Sequence, residues 1–129
     1  MTKTAGDLVA DARSRVPSIA PDDAHAQAAS GAALILDVRE PGELAAPRTP
    51  PAAVDVPRGL LEFWLDQESP YAREVFTLDK MFIFYCDNGW RSTLSTRLAQ
   101  DMGLQNAHCL KGGLDRWTTA QGRVSPYHW

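Results

Sequence analysis

The sequence predicts an α/β fold: a mainly parallel, five-stranded central sheet with helices on both faces. Three observations carry this. Two short apolar runs, Ala33–Val38 and Met81–Tyr85, are rich in branched and aromatic residues, as strands buried on both faces are. Segments of helical periodicity alternate with such runs along the chain, the order that builds βαβ units. The second run ends in Cys86 and passes through turn chemistry at Asp87–Arg91 directly into a helical pattern from Ser92.

Each element has its own signal. Thr4–Val16 offers Leu8, Val9, Ala12 and Val16 to one helical face, and Pro17 ends it. Ile19 marks a short edge strand. Pro21-Asp22-Asp23 is a helix-start signal for an Ala-rich helix running to about Ser30 and closed by Gly31; His25 on it is read as solvent-facing. Ala33–Val38 is a strand, followed by the proline-rich loop Glu40–Pro51. Val54–Val56 alternates as a short strand. Leu60–Leu65 is a short helix whose apolar face takes Leu60, Leu61, Phe63 and Trp64, and Tyr71–Phe76 forms another helical turn. After the strand at Met81–Tyr85, Leu94, Leu98, Ala99 and Met102 share one helical face, with Gly103 as C-cap. Ala107–Leu110 is the last strand, Lys111-Gly112-Gly113 a tight turn that allows close backbone approach, and Leu114–Ala120 a closing helix. The tail from Gly122 reads as a loosely packed, exposed end.

A chain of 129 residues fits one domain, expected over residues 1–129, and is long enough for a real core. The net charge of −3, with no basic block, argues against a nucleic-acid partner. No apolar run reaches the length of a membrane span and the first residues lack the apolar core of a signal peptide, so a cytoplasmic location is expected. His25, His108 and His128 fall in unrelated segments and the two cysteines form no CxxC pair, so neither a metal nor another cofactor is expected. A Cys86–Cys109 disulfide stays open on sequence alone. Cys109 reads as a small buried hydrophobe, with a resolving thiol as the alternative.

Cys86 is the candidate nucleophile. A cysteine at the carboxyl end of a buried strand sits where open α/β sheets hold their ligands. A loop curling from it into a helix start turns backbone N–H groups inward, an anion nest that also favours a thiolate. The competing reading is an inert cysteine packed at a strand end.

These residues also carry a resemblance. Cys86-Asp87-Asn88-Gly89-Trp90-Arg91-Ser92 resembles the active-site loop of the rhodanese-like sulfurtransferases, C-x-x-G-x-R followed by a small residue. Leu36-Asp37-Val38-Arg39-Glu40-Pro41 and Lys111-Gly112-Gly113-Leu114-Asp115-Arg116-Trp117 resemble two further segments of that family, in the same order, so that the likeness runs from about Pro17 to Trp117. One segment departs from it. Where the family has an aromatic, three residues and His-Ile-Pro-Gly-Ala, this chain has Leu44 and then Arg48-Thr49-Pro50-Pro51-Ala52, which alters that loop's geometry.

The resemblance implies a single-domain thiosulfate sulfurtransferase. Cys86 would take a sulfane sulfur from a small anionic donor such as thiosulfate and pass it to cyanide, a thiol or a sulfur-carrier protein through a persulfide. Asp87, Asn88, Gly89, Trp90, Arg91 and Ser92 would form the substrate-binding loop. Asp87 and Trp90 are this chain's own choices within it: an inward carboxylate would oppose an anionic donor, so Asp87 is expected to point outward, and Trp90 to shield the site or dock a partner. Asp37 and Arg39 are read as structural support, and Arg58 as a substrate contact or a surface arginine. No nucleic acid, membrane or metal is implied. Two alternatives stand beside this: a persulfide-relay or regulatory interaction module of the same fold, and the phosphatase and arsenate-reductase chemistry of C-x5-R loops. Here four residues separate Cys86 from Arg91, one fewer than in those loops.

Overall fold

The computed structural model describes residues 2–40, 48–49, 53–113 and 125–126. Helix α1, Ala5–Arg13, opens on a capping box in which Thr4 and Asp7 each satisfy the other's backbone N–H. Strand β1 is Ser18–Ile19, and α2, Pro21–Ala29, starts on its proline. Then follow β2, Ala33–Asp37, β3, Arg48–Thr49, and β4, Val54–Asp55. A 3₁₀ turn at Arg58–Leu60 leads into α3, Leu61–Leu65, and a second lies at Glu74–Thr77. The chain continues with β5, Met81–Tyr85, α4, Trp90–Asp101, and β6, Ala107–Leu110, and includes β7, Ser125–Pro126.

The main sheet has five strands in the order β1-β6-β5-β2-β4, all parallel. Strand β5 is central, its Phe84 level with Leu36 of β2 and with Cys109 of β6. The period-two alternation divides its side chains between two cores. Phe82, Phe84 and Cys86 join Leu36, Val56, Leu61 and Ala99 on one face. Ile83 and Tyr85 join Ala24, Ile35 and Leu110 on the other. Full burial of each such large side chain contributes about 1.5–3 kcal/mol.

Several expectations change. The buried face of α4 consists of Ser92, Thr93, Ser95, Thr96 and Ala99, while Leu94 and Leu98 are half-buried and Met102 is exposed. The hydroxyls are satisfied inside the helix: Thr93 donates to the Gly89 carbonyl at 2.6 Å, Ser95 to Arg91 at 2.7 Å and Thr96 to Ser92 at 2.8 Å. In α3 the buried residues are Leu61 and Leu65; Leu60 and Phe63 are exposed. His25 is half-buried rather than solvent-facing. In the tail, Ser125–Pro126 pairs antiparallel with Arg48–Thr49 instead of forming a loose end. Most of the proline-rich loop and the closing helix expected at Leu114–Ala120 lie outside the described residues. Among the described residues no helix is long and apolar enough to cross a membrane.

Candidate active site

Cys86 follows the last residue of β5 and is fully buried. Three residues carry the chain from it to α4. Gly89, the N-cap of α4, has φ +100°, a left-handed conformation that a residue with a Cβ adopts only with strain. That turn aims the Gly89 N–H at the Cys86 Sγ, 3.2 Å away. Asn88 closes the same turn by accepting from the Trp90 N–H at 3.1 Å, which satisfies a donor the helix start would otherwise leave open. Ser92, one turn into α4, brings its Oγ to 3.5 Å from the Sγ. The sulfur thus sits at the amino end of a 12-residue helix, where the partial charge is positive.

Beneath the loop lies a buried ionic cluster. Asp37 at the end of β2 and Arg39 two residues on are both fully buried. The Arg39 Nη2 donates to the Asp37 Oδ2 at 2.9 Å and its Nε to the Oδ1 at 3.1 Å, while the Arg39 backbone N–H reaches the same Oδ1 at 2.9 Å. The Tyr85 hydroxyl donates to the Asp37 Oδ2 at 2.5 Å. Burial of the phenol, and then the Asp37 charge, raise the Tyr85 pKa above its ordinary value. Burial alone would lower that of Arg39, but the hydrogen bond and charge of Asp37 outweigh it, and the net direction is upward. Both shifts keep tyrosine neutral and arginine charged. The second Arg39 nitrogen, Nη1, extends to the Asp87 Oδ1 at 3.3 Å, and the other Asp87 oxygen lies 3.8 Å from the Arg91 Nη2. The cluster therefore ties β2 to the first residue after Cys86.

A third support comes from the turn after β6. Gly113 has φ +63°, and a Cβ built on it would lie 2.4 Å from the Cys86 carbonyl oxygen and 2.6 Å from that of Asp87. Backbone meets backbone at this point, so no rotamer change could make room.

The structure thus gathers Cys86, Asp87, Asn88, Gly89, Arg91, Ser92, Asp37 and Arg39 around one strand end. Asp87 is half exposed but turned onto two guanidinium groups, so the expected outward orientation is met in part. Trp90 is also half exposed, at 46%, the tip of its ring beside Gly6 of α1. Arg58 is anchored at the same edge through its N–H to the Val38 carbonyl, and its guanidinium lies 3.5 Å from Glu62 rather than in the loop. Cys86 and Cys109 are free thiols. Ser92 connects them, its Oγ being 3.5 Å from the Cys109 Sγ as well. Tyr85 is the residue that sequence reasoning missed; the available signal was a phenol at the end of a buried strand, which needs a polar partner.

Comparison with known proteins gives a consistent set of relatives. The model of a family described as rhodanese-like domain matches residues 20–120. A solved structure from Rhodopseudomonas palustris CGA009, a protein of unknown function described as a possible tyrosine phosphatase, is 38% identical. It covers 97% of this chain and 96% of its own, with a TM-score of 0.92. Human thiosulfate:glutathione sulfurtransferase is 29% identical over 107 residues, 78% of this chain and 92% of that protein. The structure of a human single-domain sulfurtransferase is 28% identical with a TM-score of 0.69, covering 80% of this chain and 96% of its own.

Proposed function

This chain belongs to the rhodanese-like domain family, and from that premise we propose that it is a sulfurtransferase working through a persulfide on Cys86. The observation that carries the reading is the 3.2 Å hydrogen bond from the Gly89 N–H to the Cys86 sulfur at the amino end of α4. A sulfur that attacks as a thiolate and then holds a terminal sulfur atom is negative at both stages. Fixed N–H groups and the positive end of a helix suit both.

In the proposed cycle the Cys86 thiolate attacks the outer sulfur of thiosulfate. A sulfur–sulfur bond forms to Cys86 as the donor's own sulfur–sulfur bond breaks, and sulfite leaves with the electron pair. An acceptor thiolate then attacks the outer sulfur of the Cys86 persulfide, takes it as a new persulfide and returns the Cys86 thiolate. Cyanide would do the same and leave as thiocyanate. The name of the human relative includes glutathione, which makes that thiol the first acceptor to test. Arg58 is the remaining candidate for a donor contact, an anion replacing Glu62 as its partner. The cytoplasm, a reducing compartment, suits chemistry that begins from a free thiol.

Intact-mass spectrometry after incubation with thiosulfate tests this. Wild type should gain one sulfur, about 32 Da, which cyanide or glutathione removes, and Cys86→Ala should gain nothing. An unmodified wild type with thiosulfate, 3-mercaptopyruvate and a persulfide donor alike would leave the interaction-module reading in its place.

A further inference from the structure

Beside the active-site loop lies a cleft of about 360 Å³ that the chemistry of Cys86 does not account for. Asn88 and Gly89 form one wall, Lys111 and Gly112 another, Thr93 and Cys109 lie deeper, and Arg13 stands at the end of α1. Two features are informative. No aspartate or glutamate is among the described residues that line it, although the chain as a whole has a net charge of −3. The side chains of Arg13 and Lys111 make no ion pair or hydrogen bond among the described residues, whereas those of Arg15, Arg39, Arg58, Arg91 and Arg97 all face carboxylates. Arg13 offsets the negative carboxyl end of α1, and Lys111 leaves the cleft positive. Asn88 adds a donor: its carbonyl oxygen is engaged by Trp90, leaving its amide group for a ligand.

We propose that this cleft binds the carboxylate-bearing part of a small anionic thiol, the sulfur acceptor, and thereby sets acceptor preference. The inference rests on the sulfurtransferase reading and deepens it. Residues Asn88 and Gly89 belong both to the cleft wall and to the loop that holds Cys86. Cys86 itself does not line the cleft, so a thiol whose carboxylates lie toward Arg13 and Lys111 must pass its sulfur over the shared Asn88–Gly89 wall to reach the Cys86 persulfide. The volume falls within the range of small-molecule sites and is far larger than a thiosulfate or cyanide ion requires. A neutral thiol gains nothing from the two cations, so discrimination between acceptors by charge is the expected signature.

Two measurements test the proposal and separate its failure from that of the parent reading. The first needs no catalysis. Cys86→Ala protein is titrated with S-methylglutathione, which carries the carboxylates but no thiol, and amide shifts are followed by NMR. Saturable shifts at Gly89, Thr93, Cys109, Lys111 and Gly112 are expected, and Arg13→Gln/Lys111→Gln should weaken the affinity they report about tenfold. Equal shifts with inorganic sulfate at the same concentration would make the cleft an unselective anion site and overturn the proposal. The second is kinetic, with thiosulfate as donor. The ratio of kcat/KM for glutathione to that for 2-mercaptoethanol should fall about tenfold in the double variant, each exposed charge contributing about threefold. The charge-preserving Arg13→Lys/Lys111→Arg pair should restore it. An unchanged ratio in an active enzyme sinks the cleft proposal alone, whereas an enzyme inactive with every donor that still binds S-methylglutathione here sinks the sulfurtransferase reading and with it the acceptor role, leaving only a carboxylate-binding cleft.

Discussion

Substitution of Gly113 by alanine tests the claim that the turn after β6 holds the cysteine loop in place. The new Cβ would stand 2.4 Å from the Cys86 carbonyl oxygen, where ordinary contact begins at 3.4 Å, so the two backbones must separate by about 1 Å. The φ of +63° adds the left-handed penalty of a residue with a Cβ, roughly 1–2 kcal/mol. Collision and strain together should lower stability by about 2–4 kcal/mol. A displacement of about 1 Å at the nucleophile should reduce kcat/KM for thiosulfate about 100-fold. Gly31→Ala separates the two causes. Gly31 has a φ of +82° with nothing within 4 Å of the added carbon, so it carries the backbone strain alone, far from the site. Urea denaturation and thiosulfate–cyanide kinetics on both variants are sufficient. If Gly113→Ala is no less stable than Gly31→Ala and keeps activity within about threefold of wild type, the turn is not a support for the loop.

Three further outcomes follow from the buried cluster. Asp37→Asn leaves the fully buried Arg39 with only the half-exposed Asp87, and should cost about 3–5 kcal/mol in chemical denaturation; a loss below about 1 kcal/mol would contradict the cluster's role. Tyr85→Phe removes a hydrogen bond to a charged group, worth about 2 kcal/mol at neutral pH. Because the folded Tyr85 pKa is raised, its contribution is complete below the unfolded value near 10 and is lost as pH rises above it. The stability gap between wild type and Tyr85→Phe should therefore narrow by about 1 kcal/mol between pH 10 and 11, and a gap independent of pH would refute the assignment. Asp87→Asn frees Arg39 and Arg91 from a shared carboxylate, so KM for dianionic thiosulfate should fall a few-fold at low salt and less at high salt. A rise in KM would show that Asp87 positions the donor instead.

The main sheet was legible because its strands are buried on both faces. Met81–Tyr85 and Ala107–Leu110 were read to the residue, since a short apolar run bounded by turns has one economical placement. The face of α4 was not, and the reason is physical. Apolar periodicity favoured Leu94, Leu98 and Met102, but the helix buries Ser92, Thr93, Ser95 and Thr96, small side chains whose hydroxyls find carbonyls one turn back. A hydroxyl satisfied within its own helix costs little to bury, and a hydrophobicity pattern does not register it. The cysteine loop was visible in its motif. The supports beneath it, Tyr85 on Asp37 and Gly113 on the Cys86 carbonyl, are contacts between residues far apart in sequence, and only the fold brings them together.

The relative described as a possible tyrosine phosphatase makes the size of the loop a question to settle by experiment. A loop that cradles a tetrahedral phosphate follows C-x5-R, with the arginine closing the ring. Here the residue at that spacing is Ser92, which is fully buried and turned toward Cys86 at 3.5 Å. Arg91 stands one place earlier, with its guanidinium 3.8 Å from Asp87. A phosphoryl group would meet a neutral hydroxyl where that chemistry places a bidentate cation, whereas a single sulfur atom needs only N–H and O–H donors. Assayed side by side, the protein should turn over thiosulfate and leave p-nitrophenyl phosphate unhydrolysed. Phosphatase turnover in wild type that disappears in Cys86→Ala would reverse the assignment, because it would show the shorter ring opening to admit a tetrahedral anion.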